Sequence, residues 1–207
     1  RYSNLCKIIQ SSIADETIGN IIHIYGVMSH GLAFKDGYQK SWRGKYPKNE
    51  SVVLDTSLIH LIDLCNYILG GSLKINSSLG SSFKHGQDSY AISLRAKNEA
   101  NISLFGSYAA PYYFSFTVLG TDGFIEANDS SLVIKRPRDS FNEKGFFITP
   151  PTYLKEDYAF ELDYESSLER AVNHFVSLAM SGENFCEREF DLSLETTKIV
   201  LNAQIEH

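Results

Sequence analysis

The stretch from Val52 to Leu69 constrains the fold more than any other. It carries Val52, Val53, Leu54, Leu58, Ile59, Leu61, Ile62, Leu64, Ile68 and Leu69 with no proline or glycine, then stops at Gly70-Gly71. Such a run reads as one helix with a glycine terminator. Apolar residues fall on nearly every side of it, so the helix is expected to be largely buried. The same stretch holds Asp55, His60 and Asp63, and Ser41-Trp42-Arg43 lies just upstream. Ionisable groups pressed against apolar surface are where pKa values are tuned for proton transfer. His60 and Asp63 are neighbours on one helical face, which lets the carboxylate orient the imidazole and raise its basicity. Asp55, five residues before His60, turns away from it on a regular helix unless Asp55 is the N-cap. The residues alone leave two readings open: a tuned proton-transfer group, or a hydrogen-bonded core histidine with Asp55 as a mere cap.

With 207 residues, 43% hydrophobic and 21% charged, the chain can bury one sizeable core or two small ones, and a single domain over 1–207 is expected. A net charge of -6 argues against a nucleic-acid partner, and the basic cluster Lys135-Arg136-Pro137-Arg138 is too short to reverse that. No apolar run is long enough for a bilayer and the start lacks a signal-peptide pattern, so a soluble protein without a membrane partner is expected. Cys6, Cys65 and Cys186 are odd in number and far apart, which suggests neither a disulfide framework nor a zinc site. A reducing cytoplasm fits.

Along the chain, Tyr2 to Ile13 has helical spacing and Ile21 to Met28 reads as a strand. From Leu32 to Glu50 a long loop holds Tyr38, Trp42 and Tyr46, too aromatic for disorder. Short alternating runs then follow at Leu73 to Leu79, Tyr90 to Ala96, Ala100 to Tyr108, Tyr112 to Leu119, Gly123 to Ala127 and Leu132 to Lys135. Turn residues such as Asn98-Glu99 and Thr121-Asp122-Gly123 separate them, which predicts an antiparallel meander. Helical spacing returns from Glu165 to Met180 and from Leu192 to Ile205. This order predicts an α+β fold, an open and mostly antiparallel sheet with helices packed on one face.

Several segments, taken in order, resemble the carboxy-terminal domain of the Gfo/Idh/MocA oxidoreductases. They are Ile18-Gly19-Asn20-Ile21, Ser41-Trp42-Arg43, Val52-Val53-Leu54-Asp55, His60-Leu61-Ile62-Asp63-Leu64, Tyr67-Ile68-Leu69-Gly70, Gly120-Thr121-Asp122-Gly123-Phe124-Ile125, and Phe175 with Gly182. The resemblance implies a dihydrodipicolinate-reductase-like open sheet that binds substrate and builds dimers or tetramers. It also implies an amino-terminal Rossmann domain holding NAD or NADP; no strand followed by Gly-x-Gly-x-x-Gly occurs here. The family's Glu-Lys-Pro lysine would lie upstream. The chain is therefore expected to be the carboxy-terminal domain of a longer protein and inactive by itself.

Carried over, the resemblance makes His60 the general acid or base at a sugar, cyclitol or sugar-nucleotide hydroxyl, with Asp55 its carboxylate partner. Arg43, Trp42, His30 and Asp63 are implied to line the substrate pocket, Arg43 by hydrogen bonds and Trp42 by apolar contact with a sugar ring. Two departures stand out. Asn49-Glu50-Ser51 replaces three glycines common in the family, and the Asp55 to His60 interval is five where four or three is usual. A non-catalytic binding or assembly module, using an aromatic surface around Tyr108, Tyr112, Tyr113, Phe114 and Phe116, is the alternative, as is a catalytically silent member. A metal hydrolase is disfavoured, because no second histidine lies near.

Overall fold

The Val52–Leu69 run is helical throughout but is not one regular helix. After a first turn at Val52 and Val53 the backbone widens into a π-turn over Leu54–Leu58, in which the Ile59 N–H donates to the Leu54 carbonyl. A regular α-helix, α2 (Ile59–Leu69), continues from there and ends at Gly70 in the left-handed conformation, φ 78°. The computed structural model describes residues 1–47, 50–157, 159–182 and 186–205. Lys48 and Asn49 of the predicted loop, and with Asn49 part of the glycine replacement, lie outside them.

The described residues form an α+β fold: an open, mixed and mostly antiparallel eight-stranded sheet with helices. The chain divides into two compact units, one of Arg1–Ile22 with Thr117–Asp191, the other of His23–Phe116 with Leu192–His207. Strands β1 (Ile21–Ser29) and β5 (Tyr113–Gly120) and helix α4 (Glu187–Ile205) run from one into the other.

In the His23–Phe116 unit the strands lie in the order β2-β3-β4-β1, with β2 (Lys74–Ser81), β3 (Ser89–Arg95) and β4 (Asn101–Ser107). The first three form the predicted antiparallel meander, with Ser78 opposite Ile92 and Ile92 opposite Leu104. The next pairing departs from it: β1 runs parallel to β4, with Ile24 beside Ile102. A parallel partner needs a long crossover, and the loop, π-turn, α2 and first hairpin supply it. Ile24, Ile92, Leu94, Ile102 and Leu104 turn one face of these strands into a core that includes Leu54, Leu58, Leu61 and Ile62. Gly106 permits that approach: a Cβ there would stand 2.8 Å from both Leu58 Cγ and Val53 Cγ1. From α4, Leu192, Ile199, Val200 and Ala203 are buried, and Asn66 of α2, fully buried, donates to the Leu192 carbonyl at 3.0 Å.

In the Arg1–Ile22 unit, α1 (Asn4–Ala14) is capped by Ser3 Oγ, which accepts from the Cys6 N–H at 3.1 Å. Its first turn is also held by the buried Asp163 carboxylate, which accepts from the Asn4 N–H at 2.8 Å and pairs with Arg170 at 2.9 Å. Strands β5, β6 (Phe124–Asn128), β7 (Ser131–Lys135) and β8 (Thr152–Asp157) lie in that order. The sequence gives no sign of β8, because Thr-Tyr-Leu-Lys-Glu-Asp is an exposed edge without apolar alternation. Helix α3 (Phe160–Ser181) starts before the predicted Glu165, and Leu168, Val172 and Phe175 of its apolar stripe are at least half exposed. No described helix is long and apolar enough to cross a membrane.

Candidate functional site

Each residue singled out from the sequence lies in the His23–Phe116 unit. His30 follows β1, its backbone N–H bonded to the Ser107 carbonyl at 2.9 Å. The chain then makes two 3₁₀ turns, Leu32–Phe34 and Tyr38–Lys40, and bends back at Gly44. A Cβ at Gly44 would sit 2.2 Å from the Tyr38 carbonyl oxygen, so a larger residue could not make this bend. The bend presents Trp42, 57% exposed, with the Arg43 guanidinium 4.4 Å from its ring centroid.

Tyr108, at the end of β4, is the centre of one cluster. His30 stacks on it at 4.5 Å, Tyr38 meets it edge-on at 6.4 Å, and its hydroxyl bonds Thr56 Oγ1 and accepts from Ser57 Oγ at 3.4 Å. Burial lowers the His30 pKa and the Arg43 charge lowers it further. Burial also raises the pKa of Tyr38. Both groups are therefore neutral at neutral pH.

Asp55 is the centre of a second. It accepts from the Tyr46 hydroxyl and, at 3.0 Å, from Gln204 Nε2 of α4. Gln204 also brackets Ser51, taking its N–H at 2.8 Å and donating to its carbonyl at 3.1 Å. Burial, followed by the bond to Asp55, holds the Tyr46 pKa well above the usual phenol range. The Tyr46 ring lies 6.3 Å from Trp42. Asp55 is thus not the helix cap; Ser51 Oγ takes that role, accepting from the Leu54 N–H at 3.4 Å. Asp55 falls inside the π-turn, whose wider winding absorbs one residue, so its five-residue interval to His60 spans about what four span on a regular α-helix.

His60 is not a core histidine either: it is exposed on α2. Loss of water around its ring still lowers its pKa, and the Asp63 carboxylate opposes that shift. Asp63 also accepts from Thr196 Oγ1 of α4 at 3.2 Å. The fold therefore joins Arg43 to Trp42, and Trp42 through Tyr46 to Asp55, while His60 and Asp63 share α2. Sequence reasoning missed Gln204 and the bonding of Tyr46. The aromatic loop was a signal for Tyr46, and a glutamine 149 residues from its partner gave none. Of the aromatic strand residues, Tyr108, Phe114 and Phe116 are core, and Tyr112 and Tyr113 are more than half exposed. Among the described residues no three His, Cys, Asp or Glu side chains are grouped to hold a metal ion.

The class defined by these elements is an α+β fold with an open mixed sheet, Asp55 in a π-turn and His60 on the helix that continues from it. The GFO/IDH/MocA C-terminal domain signature matches residues 7–126, and the chain belongs to that family. No curated protein matches it in sequence. Among solved structures, a levoglucosan dehydrogenase in complex with NADH and levoglucosan is similar at 18% identity and TM-score 0.68, over 96% of this chain and 59% of that one. A myo-inositol dehydrogenase from Corynebacterium glutamicum is similar at 15% identity and TM-score 0.66, over 100% and 59%. A myo-inositol 2-dehydrogenase from Lactobacillus plantarum is similar at 16% identity and TM-score 0.70, over 99% and 60%. At these identities the likeness is one of fold, and the chain spans about three fifths of each of these proteins.

Proposed function

We propose that this chain is the substrate-binding and oligomerisation domain of a longer, cytoplasmic NAD(P)-dependent dehydrogenase that acts on a hydroxyl of a sugar, cyclitol or sugar nucleotide. The π-turn carries the reading. It reconciles the five-residue Asp55–His60 interval with the family's shorter one, in a helix where π-turns commonly mark functional sites. His60, its pKa lowered and its ring open to one side, takes the proton of the substrate hydroxyl. Asp55 is held in place by Tyr46 and Gln204. Trp42 offers an exposed apolar wall for a sugar ring, and Arg43, His30 and Asp63 contribute the polar lining.

The chain's own residues include no glycine-rich strand-to-helix turn for a dinucleotide, so the cofactor is assigned to a preceding domain. When bound, the nicotinamide accepts the hydride. The sheet face bearing Tyr25, Leu79 and Phe105, which are 47%, 63% and 37% exposed, supports self-association into a dimer or tetramer.

The test is nicotinamide binding and reduction by the full-length protein over a panel of sugars and cyclitols, beside His60→Ala. The expected result is turnover that falls by about 10²- to 10⁴-fold in the variant with nicotinamide binding unchanged. Absence of nicotinamide binding would remove the dehydrogenase reading, and binding without turnover by either protein would favour a silent or assembly role.

A further inference from the structure

The loop after β1 holds a cation without a counter-charge. Arg43 Nε is buried with no hydrogen-bond partner, and among the described residues the guanidinium forms no ion pair. Two carboxylates of this unit, Asp88 and Asp55, are taken up by other donors. Asp88, fully buried, accepts from the backbone N–H groups of Phe83, Lys84 and His85 at 3.1, 2.6 and 2.9 Å. Asp55 is bonded by Tyr46 and Gln204. A second orphan lies in the same loop: Tyr38, 5% exposed, has a buried hydroxyl without a partner. His30 and Tyr38 both pack on the Tyr108 ring, at 4.5 and 6.4 Å between centroids, and Gly44, next to Arg43, folds back against the Tyr38 carbonyl, which places the three groups in one neighbourhood. Buried donors left unpaired are costly, and where they gather beside a candidate substrate wall a ligand is the natural acceptor.

We propose that Arg43 reads a carboxylate on the substrate, so that this site takes a sugar acid in preference to a neutral sugar. The proposal rests on the dehydrogenase reading of the same site. The Arg43 guanidinium lies 4.4 Å from the Trp42 ring centroid, and its fork matches a planar, two-oxygen anion. Trp42 itself is exposed and flanks the same space, so one ligand can stack its ring on the indole and extend a carboxylate to the arginine. Tyr38 supplies a neutral donor and His30 a ring that adds no competing charge.

The experiment is titration calorimetry without nicotinamide on the full-length protein, using glucuronate, glucose and glucose 6-phosphate as probes. Wild type should bind glucuronate at least about tenfold more tightly than glucose. The preference should vanish in Arg43→Met, survive in part in Arg43→Lys, and shrink in Tyr38→Phe, with melting curves confirming that each variant is folded. Equal or weaker binding of glucuronate, binding of none of the probes, tightest binding of glucose 6-phosphate, or a preference intact in Arg43→Met would each overturn the proposal. Acid binding without nicotinamide reduction in a parallel assay would instead remove the dehydrogenase reading and leave the carboxylate site standing.

Discussion

Gln204 Nε2 donates to Asp55 Oδ1 at 3.0 Å across 149 residues of sequence, so the last helix holds the acidic residue of the candidate site. The same amide satisfies both backbone groups of the fully buried Ser51. Gln204→Leu should therefore lower stability by about 1–3 kcal/mol through unpaired buried groups, seen as a lower urea midpoint. An unchanged midpoint would mean that water replaces the amide at no cost.

Gly106 is where the π-turn segment presses on β4. Gly106→Ala brings a methyl to 2.8 Å from Leu58 Cγ and Val53 Cγ1 and should cost about 1–3 kcal/mol by overpacking. Combined with Leu58→Ala, which removes one of the opposing groups, the loss should be smaller than the sum of the single losses. Strict additivity in urea unfolding would contradict the contact.

Asp163 closes the start of α1. Asp163→Asn removes the charge that faces Arg170 and weakens acceptance from the Asn4 and Leu5 N–H groups. Stability should drop by about 2 kcal/mol, discounted because Arg170 is part exposed. Hydrogen exchange should rise first in the amides of Asn4 to Ile8, and uniform exchange across the chain would argue for a global effect instead.

Three histidines, His23, His30 and His60, have pKa values lowered from 6.5, in each case chiefly by desolvation. The unfolded chain then binds more protons than the folded one below that pH. Stability is fully present above the unfolded value and falls as pH drops through about 6.5 toward the folded values. Melting temperature should decline from pH 7.5 to pH 5.5, and His30→Gln should flatten that decline. A melting temperature that is flat or rises on acidification would contradict the desolvation of these rings.

Much of the strand pattern was legible because alternation marks a pleated, half-buried surface whatever its partner. Six of the strands after α2 and before β8 fall within a few residues of their predicted bounds, and Gly70 ends α2 as its position implied. The pairing of β1 beside β4 was not legible, since alternation names a strand and not its neighbour. Nor was β8, whose exposed residues carry no periodicity.

At the candidate site the order of residues alone supplies the inventory: one tryptophan beside an arginine, an aspartate and a histidine in an apolar helical run, and aromatic residues in the loop before it. Tertiary structure decided their relations. Hydrogen bonds along the backbone widened the helix at Leu54–Leu58, and the turn therefore takes up the residue that made the Asp55–His60 interval look wrong. Packing brought Gln204 and Tyr46 to Asp55, set the Arg43 guanidinium 4.4 Å from the Trp42 ring centroid, and left His60 exposed where an apolar helix had suggested burial. Local pattern fixes which residues a helix or strand contains, because it depends on neighbours within a turn. Which distant side chain satisfies a buried donor or carboxylate depends on how separate segments meet, and only the folded chain holds that information.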